Sequence, residues 1–170
     1  VYDETLGTML KKLVIGKVGV QNLAEFAFSG LTQAKKLEYL DIQGIKNIKS
    51  LDLSKQLNFK TLIANGSGIS SVTFAKGAPV ASISLPSTMT NLSLEQLPYL
   101  ESNNISLEDI TNVDTIVVKG CPKVSNDFDF VYNWYRRKGV ENAYATLIMD
   151  NIDWKNVDAN KLAEISGIGN

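Results

Sequence analysis

The carboxylates close enough in sequence to act together are Asp127 with Asp129, and the set Asp150, Asp153 and Asp158. Such groups can ligate a hard cation through oxygen, or work as an acid and base pair on a glycosidic bond. A calcium loop needs acidic side chains at alternate positions and a glycine at the sixth. The stretch DWKNVDANKLAE, Asp153 to Glu164, lacks that glycine. No metal is expected, and these acids read as helix caps and exposed turn residues. The chain has no histidine, which removes the commonest general base and the commonest metal ligand together. Any enzyme built here would have to run on carboxylates facing each other across a cleft. The expectation is a non-enzymatic protein with no catalytic residue and no cofactor.

Other residues with chemical potential read as structural. Arg136, Arg137 and Lys138 offer a phosphate patch, yet cations in the last turn of a helix complement its dipole without a ligand. Trp134 and Tyr135 have the rings to stack on bases or sugars, but at helical spacing with Phe128 and Val131 they read as core. Cys121, the single cysteine, excludes an internal disulfide and fits a buried small hydrophobe at a strand-end turn. The triplets Asn65-Gly66-Ser67, Asn91-Leu92-Ser93 and Asn104-Ile105-Ser106 match the glycan acceptor pattern, which also arises by chance.

Seventeen basic and eighteen acidic residues leave a formal charge of -1, so nothing in the charge balance draws the chain to nucleic acid or an anionic membrane. No apolar run approaches the ~20 residues of a membrane span, and no basic-then-apolar signal segment opens the chain. The chain opens on Val1, and its tail DNIDWKNVDANKLAEISGIGN reads as an unfinished repeat. Both features predict a segment of a longer protein.

What positions these residues is a repeat. The phrase apolar-x-apolar recurs at Leu13-Ile15, Phe26-Phe28, Leu40-Ile42, Leu51-Leu53, Leu62-Ala64, Val72-Phe74, Ile83-Leu85, Leu92-Leu94, Ile105-Leu107, Ile116-Val118 and Leu147-Met149. A third apolar residue usually stands three positions earlier, as at Leu37, Ile48, Phe59, Ile69, Val80, Met89 and Val113. Alternation over a few positions followed by Gly, Ser, Asn or Pro predicts short half-buried strands and turns. Taking every second phrase gives two interleaved series. Leu40, Leu62, Ile83 and Ile105 form one, and Leu51, Val72, Leu92 and Ile116 the other, each with steps of 20 to 24 residues. One coil therefore holds two extended segments, on opposite sides of a flattened solenoid. Such a coil cannot stand alone, because ordering it costs more than its few inward side chains return until neighbours stack on it.

The segments LEYLDIQGI, FKTLIANGSGI and VDTIVVKGCPKV resemble the leucine-rich repeat, with Cys121 at the position where that family carries asparagine or cysteine. The resemblance spans about residues 10 to 152 and implies an α/β repeat, a leucine-rich-repeat solenoid of mostly short parallel strands with a helical C-terminal portion. The asparagine ladder of that family is mostly replaced, by Gln56, Ser67 and Gly77 at or near its place. The whole of 1–170 reads as one domain. A helix is predicted over 125–139 with Ser125 as N-cap, and a short one over 156–166.

Outward positions between the inward residues form the candidate binding face: Asp52, Thr73, Ser93, Val117 and Ile148. The opposite face carries Asp41, Ile63, Ser84 and Ser106. Because the first series precedes the helical return, it is expected to form the concave sheet. Its small, mildly polar surface with an apolar end suits a protein partner, or self-assembly within a larger complex, better than an ion. The irregular repeats, as in LDLSKQLNFKTLIANGSGISSVTFAKGAPV, resemble segments of virion and tail-associated proteins of gut bacteriophages and prophages, and of bacterial surface proteins. That resemblance implies structural assembly, with adhesion or carbohydrate binding as the alternative, and a location in a virion or on a bacterial cell surface.

Overall fold

The computed structural model describes residues 9–15, 30–109, 111–137, 146–150, 155 and 157–166. Among the described residues ten short strands follow one another: β1 Lys12–Val14, β2 Tyr39–Asp41, β3 Ser50–Leu53, β4 Thr61–Ile63, β5 Ser71–Phe74, β6 Ser82–Leu85, β7 Asn91–Glu95, β8 Ile105–Leu107, β9 Thr115–Lys119 and β10 Thr146–Met149. Three α-helices lie toward the C-terminus: α1 Pro122–Ser125, α2 Phe128–Arg137 and α3 Ala159–Ser166.

From β2 to β9 each strand pairs with the next strand but one, while β1 pairs with β2 and β9 with β10. One sheet has the order β1-β2-β4-β6-β8, and the other side holds β3-β5 and β7-β9-β10, all parallel. β5 and β7 lie side by side, and the Thr90 N–H donates to the Ser70 carbonyl (3.0 Å) between them. The result is a β-solenoid of about four turns. The register matches the two sequence series residue for residue: Leu40 opposite Leu62, Leu62 opposite Ile83, Ile83 opposite Ile105, and on the other side Leu51 opposite Val72 and Leu92 opposite Ile116. The Phe26-Phe28 phrase lies outside the described residues.

Alternation explains the core. In β3, β5, β6 and β7 alternate residues are buried, and Leu40, Leu62, Ile83, Leu51, Leu53, Leu92 and Leu94 face one another between the sheets. The apolar residue three positions ahead of each pair fills the corner, which is why Leu37, Phe59, Val80, Ile48, Ile69, Met89 and Val113 are all buried. Each coil thus contributes side chains from strands and corners, and neighbours complete the burial.

The chain turns after the strands through left-handed residues stacked coil on coil. Gly44 (φ 75°) and Gly66 (φ 63°) occupy one corner, and Gly77 (φ 78°), Gln96 (φ 56°) and Gly120 (φ 63°) the other. Backbone hydrogen bonds link the layers there, Gly77 N–H to the Gln96 carbonyl and Gln96 N–H to the Lys119 carbonyl, each at 2.7 Å. In the last described coil Asp150 supplies the acceptor instead, taking the Gly120 N–H on Oδ1 at 2.8 Å.

The described part of the chain between β9 and β10 is largely helical, as the aromatic spacing predicts, with a corrected boundary. Ser125 does not cap the long helix: it is the last residue of α1 and fully buried. Asp127 caps it, its Oδ1 accepting the Phe130 N–H (3.1 Å), because a carboxylate can reach a free first-turn N–H that the inward serine cannot. Phe128 and Trp134 are buried beneath α2, and the Phe130 and Trp134 rings meet at 4.2 Å with planes inclined by 58°. Lys138 and Gly139, expected to end this helix, lie outside the described residues, as do the side chains of Val131, Tyr135, Arg136 and Arg137. α3 starts at Ala159 because Asp158 Oδ1 accepts the Asn160 N–H (2.8 Å).

Candidate functional site

Gln56 and Cys121 are inward polar residues that reach back to the preceding coil. Gln56 is completely buried and its Nε2 donates to the Leu31 carbonyl of the preceding coil. Cys121 is likewise buried, with its Sγ 3.3 Å from the Leu94 carbonyl. Burial chiefly, with the charges of Asp150 and Glu95 beside it, pushes the thiol above its ordinary value, so it stays a neutral thiol and a weak nucleophile. Ser67 is buried as well, whereas Gly77 is an exposed corner residue.

Most of the carboxylates that drew attention in the sequence are committed to the fold. Asp127 and Asp158 cap helices, Asp150 takes the Gly120 N–H, and Asp129 pairs with Lys161. Asp153 lies outside the described residues. Among the described residues no group of three or more potential ligands gathers around a common point. Of the three glycan-type triplets, Asn65 is tied up, its Oδ1 accepting the Ser84 hydroxyl, while Asn91 and Asn104 are exposed.

The five residues of the candidate face fall into register. Asp52 lies opposite Thr73 on β3 and β5, and Ser93, Val117 and Ile148 form a row across β7, β9 and β10. Asp52 and Thr73 are exposed, Ser93 and Val117 half-buried, and Ile148 is 39% exposed at the apolar end. The polar members are partly self-satisfied: Ser93 donates to Glu95 (2.9 Å), and Asp52 accepts the Ser54 N–H (2.8 Å). The hydrogen bonds from Ser54 hold the Asp52 carboxyl below its ordinary value. On the opposite sheet Asp41, Ile63, Ser84 and Ser106 form a single row in unbroken register.

Two concave features flank these faces. A groove of about 410 Å³ runs between β8 and α2, bordered by Ile105, Leu107, Phe130, Asn133 and Trp134. Trp134 is only 3% exposed, so its ring serves the core and not a stacking platform. A larger trough, about 600 Å³, lies where the chain enters β3, β5, β7 and β9, lined by Lys49, Ser70, Thr88, Thr90, Asn112 and Asp114. Sequence reasoning missed this trough. Its signal was the polar residue standing just before each strand of the second series, Lys49, Ser70, Thr90 and Asp114.

These features define a solenoid repeat protein with two strand faces and a polar trough along one edge. No family model, curated protein or solved structure matches the chain. No helix among the described residues is long and apolar enough to cross a membrane.

Proposed function

We propose that the chain is a non-enzymatic interaction module of the leucine-rich-repeat kind, serving protein–protein contact or structural assembly within a phage virion or tail protein. The face bearing Asp52, Thr73, Ser93, Val117 and Ile148 is its contact surface. The observation that carries this reading is the strand register, which sets Asp52 beside Thr73 and lines up Ser93, Val117 and Ile148 in a second row ending in an exposed isoleucine. Strand faces that vary freely over a fixed core are how repeat proteins present binding surfaces. Support for a non-catalytic role comes from Asp127, Asp129, Asp150 and Asp158, each of which has a structural partner.

The test pairs the chain, in a two-hybrid screen, with the products of the genes beside its own, followed by purified binding. Val117→Arg with Ile148→Arg weakens a true partner at least about tenfold while circular dichroism is unchanged. Binding that survives those changes but is lost on Ser84→Arg with Ser106→Arg moves the contact to the opposite face. A second reading, a bacterial surface adhesin or carbohydrate-binding module, draws support from the polar trough before β3 to β9.

A further inference from the structure

We infer that the polar trough is a binding site for a linear, uncharged oligosaccharide. The inference rests on the carbohydrate-binding reading and is independent of the strand face. Its first ground is a hydrogen-bond account of the lining. Ser70 Oγ donates to the Lys49 carbonyl (3.1 Å), Thr90 Oγ1 to the Ser70 carbonyl (3.4 Å) and Thr88 Oγ1 to the Ile69 carbonyl (2.6 Å). Each hydroxyl has one proton to give, and here it is given to the backbone. What the hydroxyls retain toward the trough is lone pairs, and the ligand they suit is one rich in O–H donors.

The second ground is what the lining excludes. Backbone groups in the column are already joined coil to coil, Ser70 N–H to the Lys49 carbonyl (2.8 Å), Thr90 N–H to the Ser70 carbonyl (3.0 Å) and Asp114 N–H to the Thr90 carbonyl (2.9 Å). An extended peptide therefore finds no open ladder to join. The lining also contains no aromatic or large aliphatic side chain of the kind that anchors protein partners. Its one cation, Lys49, is matched by one anion, Asp114, so a polyanion such as nucleic acid gains nothing there. A neutral polyol chain has none of these objections against it.

The third ground is geometric. Ser70, Thr90 and Asp114 sit one per coil, so polar residues recur at the spacing of stacked strands, about 4.8 Å. A linear glycan lying along the solenoid axis meets an equivalent set of groups at each step. Gly68, also in the lining, packs directly on the preceding coil, where a Cβ would lie 1.9 Å from the Lys46 carbonyl oxygen. With hydrogen bonds alone and no ring to stack on, the dissociation constant for one short chain is on the order of millimolar.

The experiment titrates cello-, manno- and chito-tetraose into the labelled protein, followed by amide NMR shifts, alongside a glycan array. Shifts confined to the Ser70, Thr90 and Asp114 column are expected for at least one sugar. Thr90→Tyr, an exposed position that fills the trough, weakens that binding about tenfold or more, whereas Thr73→Tyr on the strand face leaves it unchanged. Equal melting temperatures of the two variants exclude unfolding as the cause. Sugar binding that ignores Thr90→Tyr overturns the trough and leaves the carbohydrate reading standing. No binding to any sugar overturns both.

Discussion

The coils between Leu37 and Leu100 and the coil that follows Val113 solve the same problem by different means. In the first group both sides are strands, and Leu51, Leu53, Val72, Phe74, Leu92 and Leu94 are all buried. In the second, α1 and α2 replace the strand on one side, so the sheet ending in β8 stops while β9 and β10 continue opposite. There Ile116, Leu147 and Met149 are only half-buried. Specific side-chain pairs make up for part of that burial: the Tyr132 hydroxyl donates to Glu164, and Lys161 pairs with Asp129, fastening α3 to α2. A solenoid coil draws its stability from its neighbours, and a helical cap holds by local bonds what a further coil would hold by burial.

The largest expected effect is in the strand-paired region. Phe59 is fully buried and its ring lies 6.3 Å from that of Phe74, so Phe59→Ala costs about 3–5 kcal/mol by chemical denaturation. Met149→Ala, in the helical coil, costs about 1–2 kcal/mol in the same assay, because a half-buried side chain leaves a smaller void. Equal losses would erase the contrast between the regions.

Gly68→Ala comes next. The added methyl strikes the Lys46 carbonyl oxygen, and the backbone shift it forces costs about 3 kcal/mol, read as a lowered melting temperature. Gln96→Gly runs the other way. Relieving an L-residue of its left-handed conformation raises stability by about 1 kcal/mol and tests whether the corner tolerates strain because both neighbouring coils hold it.

The smallest effect is a slope with pH. Glu38 is held below its ordinary value first by the Lys60 ammonium and then by Lys11. The folded state therefore binds that proton less readily than the unfolded one. Its contribution is complete above the ordinary carboxylate pKa, about 4, and fades as pH falls through the lower folded value. Melting temperatures measured on acidification fall slightly less for Glu38→Gln than for the parent chain.

Strand positions, the two series and the corner residues were legible in the sequence because inward side chains in a narrow solenoid must be apolar. Leu40 or Leu51 has no other place to go. The helix over Phe128 to Arg137 was legible from its aromatic spacing, but not its start. Both Ser125 and Asp127 are good caps, and the choice depends on which one the core swallows. Gln96 gave no sign of a left-handed backbone, because four glycines at the corners do not reveal that a fifth position shares their conformation. The trough was hidden for a related reason: serine and threonine before a strand look like ordinary turn residues until stacking lines them up. The candidate face was legible as positions, and only the structure tells that Ser93 and Asp52 spend hydrogen-bonding capacity on Glu95 and Ser54.

The central claim is that, in the coils between Leu37 and Leu100, residues two phrases apart are neighbours and residues one phrase apart are not. Paired cysteines test it directly, in a chain whose buried Cys121 is first replaced by serine. Adjacent parallel strands lie about 4.8 Å apart, within the Cα separation a disulfide accepts. Asp52→Cys with Thr73→Cys should therefore cross-link rapidly under mild oxidation, and Asp52→Cys with Ile63→Cys, on opposite sheets, should not. Cross-linking of the second pair with failure of the first would contradict the solenoid described here.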